Sequence, residues 1–225
     1  CLRGADMADR IFNSELWRRL FGRYEILDPR PMRAEHPYTF FLPTAGEIDR
    51  LQPGDLVKLM FSDLSTDERG VERMWVEMTQ RSADHWIGKL DNTPLDMPQL
   101  KLGQRVGFRP WQIIQVAPER RSGDGPREYW QRCYVDPLVL SSERRIHYLE
   151  RVEPLPLREG DKDFDSGWRI FGSGSHAGGM SFEPDMRYVA LGVALNVDDG
   201  WLPLIDEPVG SAFRRDPAGN GFIAI

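Results

Sequence analysis

Cysteine is nearly absent: the 225 residues hold two, Cys1 and Cys133. Two thiols so far apart make neither a disulfide framework nor a paired-cysteine metal motif, and the usage fits a reducing cytoplasm, which is the expected location. Histidine is scarce too. His36, His85, His147 and His176 never stand at the spacing that sets two imidazoles on one face, and no HExxH occurs, so no metal and no cofactor is expected. A GxSxG nucleophile elbow is missing, and Cys133 has no context that marks it as a nucleophile. There is no run of about 18 apolar residues, and the first residues lack the apolar stretch of a secretory leader, so neither membrane span nor leader is expected. Met7 is a candidate initiator, which would make residues 1–6 foreign to the native chain. Net positive charge is also lacking. The formal charge is -6 with a pI of about 5.3, whereas a general affinity for nucleic acid or anionic lipid needs a basic face.

Large apolar side chains are plentiful. Seven Trp and eleven Phe accompany a 40% hydrophobic content, and each buried aromatic stabilises by roughly 1.5–3 kcal/mol, so the chain can build genuine cores. The negative charge is uneven. From Arg151 onward there are 12 acidic and 7 basic residues, a net of -5, which leaves 23 acidic and 22 basic residues, a net of -1, before it. An acidic C-terminal third suits a partner with a basic surface, and it also serves solubility.

Apolar residues between Arg10 and Phe21 recur at helical spacing, and Gly22 stops them, which predicts an amphipathic helix. Asp28-Pro29-Arg30-Pro31 and His36-Pro37 read as extended, turning chain. Thr44 and Glu47 have capping-box spacing, predicting a short helix through Leu51 that Pro53-Gly54 ends. Strands follow over Leu56–Phe61, Met74–Thr79, His85–Leu90 and Arg105–Phe108. Along the second, Met74, Val76 and Met78 alternate with Trp75, Glu77 and Thr79. Gly54 before the first strand and Gly103 before the fourth form a weak internal echo of one turn device. Residues 118–137 read as a polar linker. A second unit follows, opening on Val139 and Leu140, with an undecided segment Arg144–Glu150 and an acidic loop Gly160–Asp165. Next come a strand Trp168–Phe171, a glycine-rich loop Gly172–Gly179, a buried stretch Tyr188–Val197 and a last strand Phe222–Ile225.

Three clusters invite chemistry. Asp161, Asp163 and Asp165 alternate, but Phe164 and Ser166 break the calcium-loop pattern and no Glu closes a twelve-residue span. With Glu183 and Asp185 they are better read as a partner-binding set. The Gly172–Gly179 loop resembles phosphate cradles in composition yet lacks the Lys-Ser/Thr ending of a P-loop. It supports an alternative reading as a small-ligand or hydrolytic domain with His176. Arg120, Arg121, Arg127, Arg132, Arg144 and Arg145, interleaved with Tyr129 and Trp130, support a further alternative, a nucleic-acid-associated module. Glu119, Asp124, Glu128, Asp136 and Glu143 cancel most of that charge.

Two blocks carry a family resemblance. Asp165-Ser166-Gly167-Trp168-Arg169-Ile170-Phe171-Gly172 and Leu202-Pro203-Leu204-Ile205-Asp206-Glu207-Pro208-Val209-Gly210-Ser211-Ala212-Phe213, in this order and spacing, resemble the immunity protein 33 family over about 138–222. The resemblance implies a small α+β domain of bacterial toxin-immunity loci, a protein partner and no catalytic residues. The chain departs from the family pattern at 174–179, which is neutral where the family is acidic. Over about 39–114 the chain resembles domain-of-unknown-function family 2314. Its marks are Gly54-Asp55-Leu56-Val57-Lys58, Glu72–Glu77 with Trp75, Ile87–Pro94 with Asn92, and Leu100–Gly103, and it implies a fold unit without an activity. As scaffold, Gly167 and Gly210 mark sharp bends, Trp168 and Phe213 are core, Asp165 and Asp206 sit where carboxylates cap backbone N–H groups, and Pro208 belongs to the same structural motif.

The expectation is therefore an α+β protein of two small domains. An N-terminal helix over 1–22 leads into a strongly bent, barrel-like antiparallel sheet with short helices over 23–117. A linker over 118–137 precedes an immunity-like α+β domain over 138–225. The expected function is non-catalytic occlusion of a toxin.

Overall fold

The computed structural model describes residues 23–65, 70–123, 125–157, 159–174, 186–219 and 221–225. The amphipathic helix expected over 10–21 lies outside them, as do His176, Glu183 and Asp185. The chain is α+β and divides into two compact units, one comprising residues up to Ala34 with Phe41–Pro126, the other Glu35–Phe40 with Arg127–Ile225.

The first unit is a six-stranded, nearly closed, barrel-like antiparallel sheet. Its strands are β1 (Tyr24–Ile26), β2 (Leu56–Asp63), β3 (Val71–Gln80), β4 (Trp86–Leu90), β5 (Arg105–Phe108) and β6 (Gln115–Val116). They lie in the order β1-β2-β3-β4-β5. β1 pairs with the end of β2 and β6 with its beginning. The alternation along β3 sends Met74, Val76 and Met78 into the core and leaves Glu77 outside. They pack there with Leu59, Phe61, Trp86, Leu90 and Phe108. The echo of Gly54 and Gly103 has a common physical cause. Both adopt left-handed backbone, φ +98° and +77°, and each donates its N–H back to the neighbouring strand, to the carbonyls of Met78 and Leu90. Glycine enters that region without the clash that a Cβ would bring.

Helix α2 (Ala45–Asp49) starts as its capping box dictates. Thr44 accepts from the Glu47 N–H, and the Glu47 carboxylate accepts from the Thr44 N–H. The turning chain expected at Arg30-Pro31 is instead helix α1 (Arg30–Glu35). The Asp28 carboxylate accepts the Arg30 N–H and a guanidinium bond from the same residue. Pro31 stands in the first turn, where a missing N–H costs nothing.

The second unit carries β7 (Arg132–Val135), β8 (Ile146–Arg151), β9 (Asp165–Gly172), β10 (Arg187–Ala190), β11 (Ala212–Arg215) and β12 (Phe222–Ala224). The sheet order is β10-β7-β9-β8-β11-β12; β7 and β9 run parallel and every other neighbour pair antiparallel. Helices α3 (Pro137–Leu140) and α4 (Leu191–Val197) pack on one face. Val139 and Leu140, on which the second unit was expected to open, belong to α3: the Asp136 carboxylate caps the Leu138 N–H and Pro137 starts the turn. The undecided segment 144–150 resolves as β8. All eight residues of β9 are buried, as for a central strand covered on both faces. Its inner side sends Trp168 and Ile170 into a core with Trp201, Leu195 and Phe213.

Candidate partner-binding site

The acidic loop and the Asp-Ser-Gly-Trp block meet at the entry to β9. Between the pairs Arg132–Asp165 and Tyr134–Arg169, β7 advances two residues while β9 advances four. Gly167 absorbs the excess with φ +84°, and a Cβ there would lie 2.3 Å from the Val152 carbonyl oxygen. Ser166 closes the bulge, donating its hydroxyl to the Arg132 carbonyl and accepting the Trp168 N–H.

Of the two expectations for Asp165, a partner-facing acid and a carboxylate that caps backbone N–H groups, the structure supports the second and withdraws it from solvent. It is 4% exposed. Its two oxygens take a bidentate bond from the Arg169 guanidinium at 3.0 and 2.7 Å and the N–H groups of Leu155 and Gly167 at 2.9 and 3.1 Å. Burial alone would raise its carboxyl pKa. Arg169 and the two amides outweigh burial and hold it below the usual carboxylate range. Arg169 is buried beside it, which explains why Asp165 is drawn inward. A buried guanidinium needs a paired anion.

Behind this pair runs an aromatic–cation ladder that the sequence reading missed. Arg169 stacks on Tyr134 at 4.7 Å, Tyr134 packs on Tyr188 at 4.7 Å, and Arg132 lies over Tyr188 at 5.0 Å. The register predicts it: Tyr134 faces Tyr188 on β10 and Arg169 on β9. Arg151 was missed as well. It donates to the carbonyls of Ser166 and Glu207 and so ties both resemblance blocks together. Gly210, at φ +95°, donates to the Arg151 carbonyl. The Trp168 indole N–H reaches the Ile205 carbonyl. Pro208 accepts the Ser211 N–H, and Phe213 is core. Asp206 stays exposed and holds Arg127 bidentately at 2.6 and 2.8 Å.

The rest of the acidic loop is less buried than Asp165. Asp161 and Asp163 are half-buried, while Glu153 and Glu159 are exposed. One Asp161 oxygen is shielded without a hydrogen bond among the described residues. The Tyr188 hydroxyl pKa is raised by burial first and then by the charges of Asp165 and Asp161. Large apolar side chains stand among these acids: Phe164 is 66% exposed, Leu157 46% and Leu155 40%. The Leu155–Asp165 bond draws the two ends of the loop together.

The other two clusters fare differently. Gly172 donates its N–H to Asp136, which makes the start of the glycine-rich loop part of the scaffold; residues 175–179 lie outside the described residues. In the Arg-rich stretch, Arg120 pairs with Asp55, Arg127 with Asp206 and Arg144 with Asp136, while Arg132 bonds the Tyr188 carbonyl. In the first unit, Asn92 accepts the Trp75 N–H, Lys58 lies over the Trp75 ring at 4.4 Å, and the Glu72 carboxylate accepts the N–H groups of Leu95 and Asp96. Burial raises the Cys133 thiol pKa, which keeps it protonated and unreactive. Among the described residues no group of His, Cys, Asp and Glu could hold a metal, and no helix is long and apolar enough to cross a membrane.

This site is a buried scaffold that presents an acidic, partly apolar loop. Residues 133–224 match the family model described as the Immunity protein Imm33 domain. The match begins inside β7 and ends in β12, so it spans nearly the whole second sheet. The resemblance read for 39–114 stands on its sequence motifs alone. No curated protein and no solved structure matches the chain.

Proposed function

We propose that this protein is an immunity-type binding protein that neutralises a toxin by covering it, without catalysis and in the cytoplasm. The match of residues 133–224 to the Immunity protein Imm33 domain carries the reading. The loop between β8 and β9 supports it. Exposed Phe164, Leu155 and Leu157 supply anchors of the kind that concentrate binding energy, and Asp161, Asp163, Glu153 and Glu159 supply the field that steers a basic surface toward them. Glu183 and Asp185 belong to the proposed surface by charge alone. The toxin's surface is accordingly basic, and its active site is blocked sterically.

The test is capture followed by neutralisation. The protein is used as bait in extract of its source cells at low and high salt. A stoichiometric basic partner is then purified and assayed for toxic activity with and without the protein. Stoichiometric loss of that activity supports the proposal. A captured partner whose activity is untouched would sink it.

A further inference from the structure

The second unit is not continuous in sequence, for it takes in Glu35–Phe40 together with Arg127–Ile225. This short segment forms a turn: the His36 carbonyl accepts the N–H groups of Thr39 and Phe40. Pro37 stands at the second position of the turn, where its fixed φ favours the bend. The turn is held on α4 by paired bonds. The Tyr38 N–H donates to Asn196 Oδ1 at 2.9 Å, and Asn196 Nδ2 donates to Thr39 Oγ1 at 2.7 Å. The Tyr38 hydroxyl donates to Asp199 at 2.8 Å, and its ring meets Tyr129 edge-on at 5.8 Å.

Gly192 shows that α4 is built for this contact. Its φ is not in the left-handed region, so the backbone does not call for glycine. Inside a helix glycine costs about 1 kcal/mol relative to alanine. What requires it is proximity: a Cβ at Gly192 would lie 2.1 Å from the Tyr38 carbonyl oxygen and 3.1 Å from Thr39 Cγ2. One amide side chain reads both a backbone donor and a hydroxyl, and one missing Cβ admits a carbonyl. Together they discriminate a particular peptide shape.

We propose that Gly192, Asn196, Asp199 and Tyr129 form a recognition site for a turn-forming Pro-Tyr-Thr segment, filled in this chain by its own His36–Phe40. The immunity-like unit is therefore completed by residues far upstream of the span 133–224 that the family model covers. This inference does not depend on a toxin.

The test uses the full chain and two readouts. The first is hydrogen exchange at the Tyr38 amide. Gly192→Ala and Asn196→Leu should each speed it roughly tenfold or more, a change of about 1.4 kcal/mol, while amides of β8 and β9 keep their protection. Unchanged Tyr38 protection in both variants overturns the proposal. The second is NMR titration with a capped peptide of residues 35–40, followed at the Asn196 side-chain amide. The doubly substituted chain Tyr38→Ala/Thr39→Ala, with its site vacated, should bind the peptide, and the unsubstituted chain should not. Binding by neither removes the recognition site, and binding by both removes self-occupancy. Should the double variant fail to fold, the exchange measurement decides alone.

Discussion

Asp165 and Arg169 form an ion pair on β9 inside the second unit. Each is buried, and the two pair bidentately. Asp165→Asn leaves a guanidinium without its counter-charge, so unfolding should become easier by about 3–5 kcal/mol, measured by urea denaturation. The depressed carboxyl pKa fixes the pH dependence. A carboxylate whose folded value lies below its unfolded value, near 3.9, adds stability that is complete above the unfolded value and lost as pH falls through the folded one. The wild type should therefore lose stability in that acid range more steeply than Asp165→Asn; parallel acid titrations of stability would contradict this. Gly167 gives a second prediction at this scale. Alanine there meets both a left-handed φ and a carbonyl oxygen 2.3 Å away. Backbone strain alone costs about 1–3 kcal/mol, so Gly167→Ala should lower the melting temperature clearly. Gly103→Ala, which meets no atom within 4 Å, should cost less.

At the scale of elements, local signals succeeded where a few neighbouring residues decide the outcome. The capping box at Thr44 and Glu47 forms as its spacing requires. Thr44→Ala should therefore destabilise the protein by about 1 kcal/mol, read from a shift in the denaturation midpoint. The alternation along β3 was equally legible, since one face of that strand meets the core and the other does not. Other elements escaped local reading. The segment at 144–150 offered both helical and extended patterns until β9 and β11 paired with it as β8. Val139 has a strand-forming side chain, yet Asp136 and Pro137 set a helical turn around it and Leu140. β11 went unrecognised because Arg214 and Arg215 interrupt its apolar pattern. The Arg215 guanidinium is accommodated by Asp198 and the Ile146 carbonyl, partners distant in sequence.

For the molecule as a whole, the uneven charge is the property most directly tied to the proposed function. The net of -5 from Arg151 onward acts over roughly a Debye length, about 10 Å at 0.1 M salt. Replacing Asp161 and Asp163 by lysine reverses two charges beside the exposed anchors. Stopped-flow mixing with a captured basic partner should show association slowed by roughly tenfold or more at low salt, the difference shrinking as salt rises. Phe164→Ala should act on dissociation instead, weakening binding by roughly 1–2 kcal/mol or more. Equal association rates for wild type and charge-reversed protein at low salt would remove the loop from the interface.

The sequence by itself determined the α+β class, the bent antiparallel sheet, the capping box, the glycine turns and the two motif blocks. Each depends on residues close together in the chain, where alternation, helical period and turn chemistry operate. Only the tertiary structure decided which of the acids is buried. Asp161, Asp163 and Asp165 share one sequence pattern, yet Arg169 and two backbone N–H groups claim Asp165 while its neighbours stay half-buried. It also decided that Tyr38, nearly a hundred residues upstream of Arg132, completes the second core. Such partners meet through packing and register, and no local pattern records a contact between residues so far apart.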